Sequence, residues 1–262
     1  MPARVQFTCA GRTDVGIVRS GNEDNYLMLP DRAVFIVADG MGGHAAGEVA
    51  SEMAVRIVAQ ELGDLDGLDV EGKTERLRRA IREANAAIFE RTLTEHDKRG
   101  MGTTATALIL SGRRYLIGQV GDSRAYLLRD RQLLQLTKDH SYVQEQVDAG
   151  YLSPDEARTH PYSNVITRCV GANDDVAPDT YVGSLHTGDI FLLASDGLTG
   201  MIDDARLHEL LQSSPDPQRL VELLVAEANR LGGLDNITAI VVRIDALGEE
   251  QPSPAAAPGA AA

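Results

Sequence analysis

The chain has 262 residues, of which 39 are acidic and 25 are basic, so its formal net charge is -14. With 43% hydrophobic residues, the sequence predicts a soluble globular protein with one large core or two small ones. An acidic surface of this kind argues against nucleic acid as the main partner, because phosphate backbones are bound by an excess of Lys and Arg.

Cysteine content and hydropathy predict where the protein works. Cys9 and Cys169 have no metal-site spacing and suggest no disulfide framework, which favours a reducing cytoplasm. No apolar run reaches the roughly 20 residues that a membrane helix needs, and no signal peptide opens the sequence. Residues 246–262 are rich in Pro and Ala and have nothing to bury, so we predict a disordered tail behind a domain of residues 1–245.

The predicted strands are short apolar or alternating segments, many of them separated by short turns. They lie near residues 4–9, 24–29, 33–38, 103–111, 114–121, 124–129, 164–170, 178–184, 189–195 and 236–244. The turns at 111–113 and 129–131 are too short for parallel crossovers. We therefore expect these neighbours to form antiparallel hairpins.

Helical periodicity is clearest at 46–62 and 74–95, and two further helices fit 203–213 and 217–231. One helix pair comes early and one late, around a large set of mostly antiparallel strands. This order predicts sheets packed together with helices outside. The segment 137–168 differs, since it carries short polar helical pieces. It is a candidate substrate flap, and the alternative is an ordinary surface excursion.

Five aspartates stand in Gly-flanked or strand-end settings far apart in the sequence: Asp24, Asp39, Asp122, Asp196 and Asp235. Strands that end on Asp can deliver carboxylates to one edge of a sheet. Oxygen ligands of this kind suit Mg²⁺ and Mn²⁺, and paired ions can share a bridging carboxylate and a bridging water. Any one of these residues alone is more often a turn or cap residue than a ligand. Their co-occurrence favours a metal site.

Seven ordered segments resemble motifs of the metal-dependent PPM/PP2C-type serine/threonine protein phosphatases, bacterial branch. They are residues 19–24, 39–44, 102–104, 121–124, 137–141, 195–198 and 235–238. The resemblance spans roughly residues 5 to 244. It implies an α+β fold, a four-layer α/β/β/α sandwich with two central, mostly antiparallel sheets and helix pairs outside.

The resemblance also implies a set of metal-binding positions: Asp39, Gly40, Asp196, Asp235, Asp122, Glu23 and Asp24. Asp39 matches the bridge between two core Mn²⁺ or Mg²⁺ ions, and the Gly40 carbonyl matches a ligand of the first ion. Asp196 and Asp235 match ligands of the second ion. Glu23 and Asp24 match the acidic pair that binds metal-bound waters, and Asp122 matches a ligand of a weaker third ion, shared with Asp196.

The function implied by the resemblance is hydrolysis of phosphoserine and phosphothreonine on proteins. A hydroxide bridging the two ions, held in part by Asp39, attacks phosphorus in line without a phosphoenzyme. Arg19 matches the guanidinium that grips the phosphate, and His44 matches the proposed general acid. The implied partners are phosphorylated proteins and an opposing Ser/Thr kinase, which makes the chain a signalling hydrolase. Nothing in the sequence demands more than a monomer.

Several alternatives stay open at this stage. The same metal chemistry acts on small phosphate esters, and a non-catalytic phosphoprotein sensor that keeps the fold should have lost at least one metal aspartate. Residues 67–74 fit the nucleotide-binding P-loop pattern, but they follow a predicted helix and are surrounded by acids that repel phosphate. Residues 40–45 satisfy a relaxed dinucleotide fingerprint, but Asp39 would face the pyrophosphate.

Overall fold

The computed structural model describes residues 5–42 and 46–248 of the chain. Its strands are β1 (Gln6–Asp14), β2 (Asp24–Leu29), β3 (Val34–Met41), β4 (Gly102–Thr103), β5 (Ala105–Ser111), β6 (Arg114–Val120), β7 (Arg124–Arg129), β8 (Gln132–Gln135), β9 (Asp179–Ser184), β10 (Ile190–Ala194) and β11 (Ile237–Ala246). One sheet has the order β1-β11-β10-β7-β8, and the other has the order β2-β3-β5-β6-β9 with β4 paired to β3. The neighbouring strands pair antiparallel, as the short turns predict.

Four of the helices cover the outer faces of the two sheets, and the other three are short. They are α1 (Ala46–Glu61), α2 (Val70–Thr94), α3 (Tyr142–Asp148), α4 (Pro154–Arg158), α5 (Asp196–Thr199), α6 (Asp204–Gln212) and α7 (Pro217–Arg230). Helices α1 and α2 pack on the sheet that contains β3 and β6, while α7 packs on β1 and β11 of the other sheet. No helix of the described residues is long and apolar enough to span a bilayer.

Burial on both faces explains why the central strands are continuously apolar. In β3, Ile36 and Ala38 pack against the α1 and α2 layer, whereas Phe35 and Val37 face the other sheet. Side chains of a strand alternate between its faces, so a strand between two layers needs apolar residues at every position. Three cores result, one between the sheets and one under each helix layer. This is the predicted four-layer α/β/β/α arrangement.

One predicted strand is wrong, two observed elements were not predicted, and one helix starts earlier than predicted. The strand predicted at 164–170 is wrong, since that segment makes only two isolated bridges, Ser141 with Ile166 and Thr103 with Val170. The short edge strand β8 and the one-turn helix α5 were not predicted. Helix α2 starts at Val70 because the Asp69 side chain accepts a hydrogen bond from the Gly72 amide and caps it.

The predicted domain end is near the last observed strand. Strand β11 runs to Ala246. The tail prediction falls mainly on residues 249–262, which lie outside the described residues, and so does the candidate general acid His44. Both stay predictions.

Candidate metal centre

Strand ends deliver acidic residues to one end of the sandwich. Asp24 starts β2 and pairs in register with Asp39 of β3. In the other sheet, β10 lies antiparallel to β11, so Asp196, after the end of β10, comes near Asp235, before the start of β11. The resulting cluster joins residues from both sheets, as the sequence pattern predicts.

The carboxyl groups of Asp39 and Asp196 are within hydrogen-bonding reach of each other. Burial, followed by the negative charges of Asp24, Asp196 and Asp122, raises the pKa of Asp39 well above its usual range. Burial likewise raises the pKa of Asp196, and it raises the pKa of Asp24 to about 7. Acids crowded in this way are stable only with a proton or a cation between them.

Three buried carboxylate oxygens of this cluster have no hydrogen-bond partner among the described residues: Asp24 Oδ1, Asp122 Oδ1 and Asp196 Oδ1. An unpartnered buried oxygen costs about 1–3 kcal/mol, and more when it is charged. A divalent ion offsets that cost, and hard ions such as Mn²⁺ and Mg²⁺ prefer carboxylate oxygen. The donor set therefore fits the predicted ions.

Asp235 is arranged differently from the other acids. Its Oδ2 accepts a hydrogen bond from Arg19 Nη2 at 2.7 Å, and its Oδ1 accepts one from its neighbour, the Asn236 amide, at 2.8 Å. In the described residues, no three His, Cys, Asp or Glu side chains already surround one point as ligands. An ion that takes Asp235 as a ligand must therefore compete with Arg19 for this carboxylate.

Glu23 lies against the start of helix α1. A Cβ built on Gly47 would stand 2.5 Å from Glu23 Oε2, so only glycine allows the carboxylate this position. Burial raises the pKa of Glu23, and the nearby Arg19 charge opposes that rise. The structure thus brings Glu23 and Arg19 to the rim of the cluster, where the resemblance expects them.

Polar residues without an assigned role in the sequence hold the cluster in place. Ser195 Oγ donates to Asp24 Oδ2 at 2.7 Å and accepts from the Thr238 amide at 3.0 Å. Thr104 Oγ1 accepts from the Asp39 amide at 2.8 Å. These residues belong to or adjoin the quoted motifs, but their partners are remote in sequence, so only the fold reveals their contacts.

Asn236 is a second organising residue that sequence reasoning missed. Its Oδ1 accepts from the Glu23 amide at 2.8 Å, and its Nδ2 donates to the carbonyls of Val15 and Gly21, each at 2.9 Å. One buried amide thereby ties the segment that carries Arg19 and Glu23 to the loop that carries Asp235.

The Asp122 side of the site is held by His140. The Gly121 amide donates to His140 Nδ1 at 3.0 Å, so the ring proton of neutral His140 is on Nε2, which lies 3.1 Å from Asp179 Oδ2. Burial lowers the pKa of His140. A neutral imidazole in this tautomer fixes the backbone directly before Asp122.

The two segments that match nucleotide-binding patterns do not adopt the structures that those patterns require. Gly40 and Met41 belong to strand β3 and pair with Thr103 and Gly102, so the segment 40–45 begins as extended chain. Residues 67–69 lie in the connection between α1 and α2, whereas residues 70–74 belong to α2, where Lys73 Nζ donates to Ser111 Oγ at 2.7 Å. A P-loop requires a strand before the loop, and this connection has none.

The model of the protein phosphatase 2C family matches residues 19–228. The chain belongs to this family. The serine/threonine phosphatase stp of Listeria monocytogenes is 41% identical to this chain over 238 residues, which cover 89% of this chain and 94% of that protein.

Solved structures of phosphatases share its fold. The crystal structure of the serine/threonine phosphatase Stp1 from Staphylococcus aureus has a TM-score of 0.88 and 31% identity, and the likeness covers 94% of this chain and 98% of that one. The catalytic domain of the phosphatase PstP, solved with 2 manganese ions, has a TM-score of 0.83 and 38% identity, with coverage of 92% and 99%. The predicted family and fold class are confirmed.

Proposed function

We propose that this protein is a Mn²⁺- or Mg²⁺-dependent phosphatase that removes phosphate from phosphoserine and phosphothreonine of proteins. The observation that carries this proposal is the cluster of buried, uncompensated carboxylates of Asp24, Asp39, Asp122 and Asp196 in a chain of the protein phosphatase 2C family. The activities named for its relatives and the manganese-bound relative support the predicted activity and its two core ions.

The carboxylates of the cluster would bind the ions. Asp39 pairs in register with Asp24 and is within hydrogen-bonding reach of Asp196, which suits it as the bridge, and Asp196 and Asp235 would hold the second ion together. Gly40 would contribute its carbonyl, Glu23 and Asp24 would hold coordinated waters, and Asp122 would serve a weaker third ion. When bound, the ions neutralise the phosphoryl charge and lower the pKa of water toward neutrality.

Arg19 has the task of binding the phosphate. Its side chain is half exposed at the rim of the acidic cluster, next to Asp235. The planar guanidinium can donate two parallel hydrogen bonds to a phosphate, which orients the ester for attack on phosphorus. Because Arg19 donates to Asp235, we expect the guanidinium to turn from this carboxylate when it binds the phosphate.

His44 remains the proposed general acid that protonates the departing seryl or threonyl oxygen.

We further propose that the protein acts in the cytoplasm as a monomer and opposes a Ser/Thr protein kinase. These three statements rest on the cysteine content and the family resemblance. A non-catalytic sensor is disfavoured because none of the expected metal aspartates is missing from the sequence.

The experiment that tests the function is a Mn²⁺-titrated assay on a phosphothreonine peptide, with a nucleotide and an aryl phosphate as competing substrate classes. We expect turnover of the peptide that requires Mn²⁺ or Mg²⁺ and stops with chelator. Turnover of the nucleotide in strong preference to the peptide would favour the small-molecule phosphatase instead. Metal-independent turnover would contradict the proposed chemistry.

A further inference from the structure

Five apolar side chains are exposed together beside the proposed phosphate-binding residue. We call them the apolar rim: Val15, Ile17, Val18, Leu231 and Leu234. Their exposure reaches 68% for Ile17, 63% for Val18 and 56% for Leu234. Single exposed apolar residues are ordinary, but a cluster contributed by two separate loops indicates a surface that binds something.

The backbone under the apolar rim is held firmly. The amides of Ile17 and Val18 both donate to the Gly233 carbonyl, at 2.8 and 3.2 Å. Gly16 has a φ of +81°, and a Cβ on it would lie 2.3 Å from the Asp235 carbonyl oxygen. The backbones of the two loops therefore fit closely against each other beneath the exposed apolar side chains. A preorganised surface loses little entropy when it binds a ligand.

The apolar rim is continuous with the proposed catalytic site. Val18 directly precedes Arg19, Leu234 directly precedes Asp235, and Arg19 Nη2 is 2.7 Å from Asp235 Oδ2. Consecutive Cα atoms are about 3.8 Å apart. A polypeptide whose phosphate is bound at Arg19 therefore has the apolar rim within one or two residues of its phosphorylated side chain.

We infer that the apolar rim binds an apolar side chain of the substrate polypeptide, next to the phosphoserine or phosphothreonine. The inference rests on the proposed function, because it specifies which substrates the same site accepts. The occupant follows from position and charge. A substrate chain leaving Arg19 in this direction meets uncharged aliphatic surface, and the net charge of -14 disfavours acidic flanking segments.

The test uses two phosphothreonine peptides, one with Leu and one with Ser at the positions flanking the phosphothreonine, and an aryl phosphate. We expect the unchanged protein to prefer the Leu peptide about tenfold in kcat/KM, which is the effect of burying one aliphatic side chain. The combined variant Ile17→Ser, Val18→Ser, Leu234→Ser should lose this preference. Its turnover of the Ser peptide and of the aryl phosphate should stay unchanged, which also reports that it folds.

The matched control is Leu134→Ser. Leu134 is 48% exposed on β8, the edge strand opposite to β1 in the same sheet. Four strand spacings separate the two edges, or about 19 Å. This variant removes a comparable exposed aliphatic side chain far from the apolar rim, so it should retain the preference for the Leu peptide.

Different outcomes would contradict the role of the apolar rim in substrate binding and the proposed phosphatase function. Equal turnover of both peptides by the unchanged protein would overturn the inference and leave the proposed function standing. An equal loss on all three substrates in the combined variant would also overturn it, because that loss indicates a structural role. A dimer by light scattering that becomes a monomer in the combined variant would assign the apolar rim to a second copy. If the aryl phosphate were hydrolysed but neither peptide, the proposed function itself would fail.

Discussion

The buried aspartates at the two ends of strand β10 differ in whether other residues neutralise their charge. Asp189, just before the strand, receives two hydrogen bonds from Arg129 at 2.7 and 2.6 Å and a third from the His186 amide at 2.8 Å. Asp196, just after the strand, has a buried Oδ1 that finds no partner among residues 5–42 and 46–248, and it lies against the acidic Asp39. The two acids are seven residue steps apart along nearly extended chain, or about 23 Å.

This difference distinguishes an acid that supports the fold from an acid that is arranged for a ligand. A buried carboxylate with a bidentate guanidinium has its charge matched within the protein, so removing it leaves the partner charge uncompensated. A buried carboxylate among other carboxylates is destabilising until a cation arrives. Substitutions in the acidic cluster that contains Asp196 and in the ion pair of Asp189 should therefore have opposite consequences for stability and for activity.

The largest effect is expected for Asp39→Asn. Loss of the proposed bridging carboxylate should lower Mn²⁺-stimulated hydrolysis of an aryl phosphate by roughly 10³-fold or more. With chelator present, the melting temperature should stay the same or rise, because one charge leaves a crowded acidic cluster.

The control for this substitution is Asp31→Asn, in the exposed turn between β2 and β3 at the other end of these strands. It should leave both activity and melting temperature unchanged. Normal turnover in Asp39→Asn would contradict the assignment of the metal-binding residues.

The second effect is expected for Asp189→Asn. The variant leaves Arg129 without its carboxylate partner, and we expect a loss of about 3 kcal/mol in the free energy of unfolding. Urea denaturation measures this loss. At 25 °C the folded variant should keep kcat within about twofold of the unchanged protein, because the pair is remote from the acidic cluster. A strong loss of kcat with unchanged stability would mean that Asp189 serves the activity and not the fold, which would contradict the role assigned to it here.

The smallest effect concerns the pH dependence of stability. Hydrogen bonds from Arg230 and then Arg206 lower the pKa of Glu227 from 4.5 to about 2. Since the pKa is lower in the folded state, the stabilisation is complete above the ordinary value and is lost as the pH falls from about 4.5 toward 2.

Glu227→Gln tests this dependence. At pH 7 the variant should be less stable by about 1 kcal/mol, and the difference should shrink as the pH falls below 4.5. Denaturation of both proteins at a series of pH values gives the difference directly. A difference that is constant with pH would mean that the charge of Glu227 contributes nothing.

Much of the fold could be predicted from the sequence because its central strands carry a strong signal. Strands buried on both faces, such as β3 and β10, are continuous apolar runs, and their acidic ends are visible beside them. The segment 164–170 was assigned wrongly because its apolar residues lie among polar ones and its bridges go to two different partners. Edge strand β8 is four residues long and mostly exposed, so it has no burial pattern to recognise.

The site was predictable in its residue types but not in its contacts. The aspartates could be chosen because each stands at the end of an apolar run. The pairing of Arg19 with Asp235 depends on residues 216 positions apart and could not be read from spacing. The same holds for Asn236, whose side chain fixes the Glu23 segment across 213 positions.

Anomalous diffraction from crystals grown with Mn²⁺ shows directly whether the acidic cluster binds the predicted pair of ions. We expect two strong manganese peaks bounded by Asp39, Asp196 and Asp235, with the guanidinium of Arg19 turned from Asp235. Peaks at another place in the molecule, or no manganese among these carboxylates at millimolar Mn²⁺, would contradict this expectation.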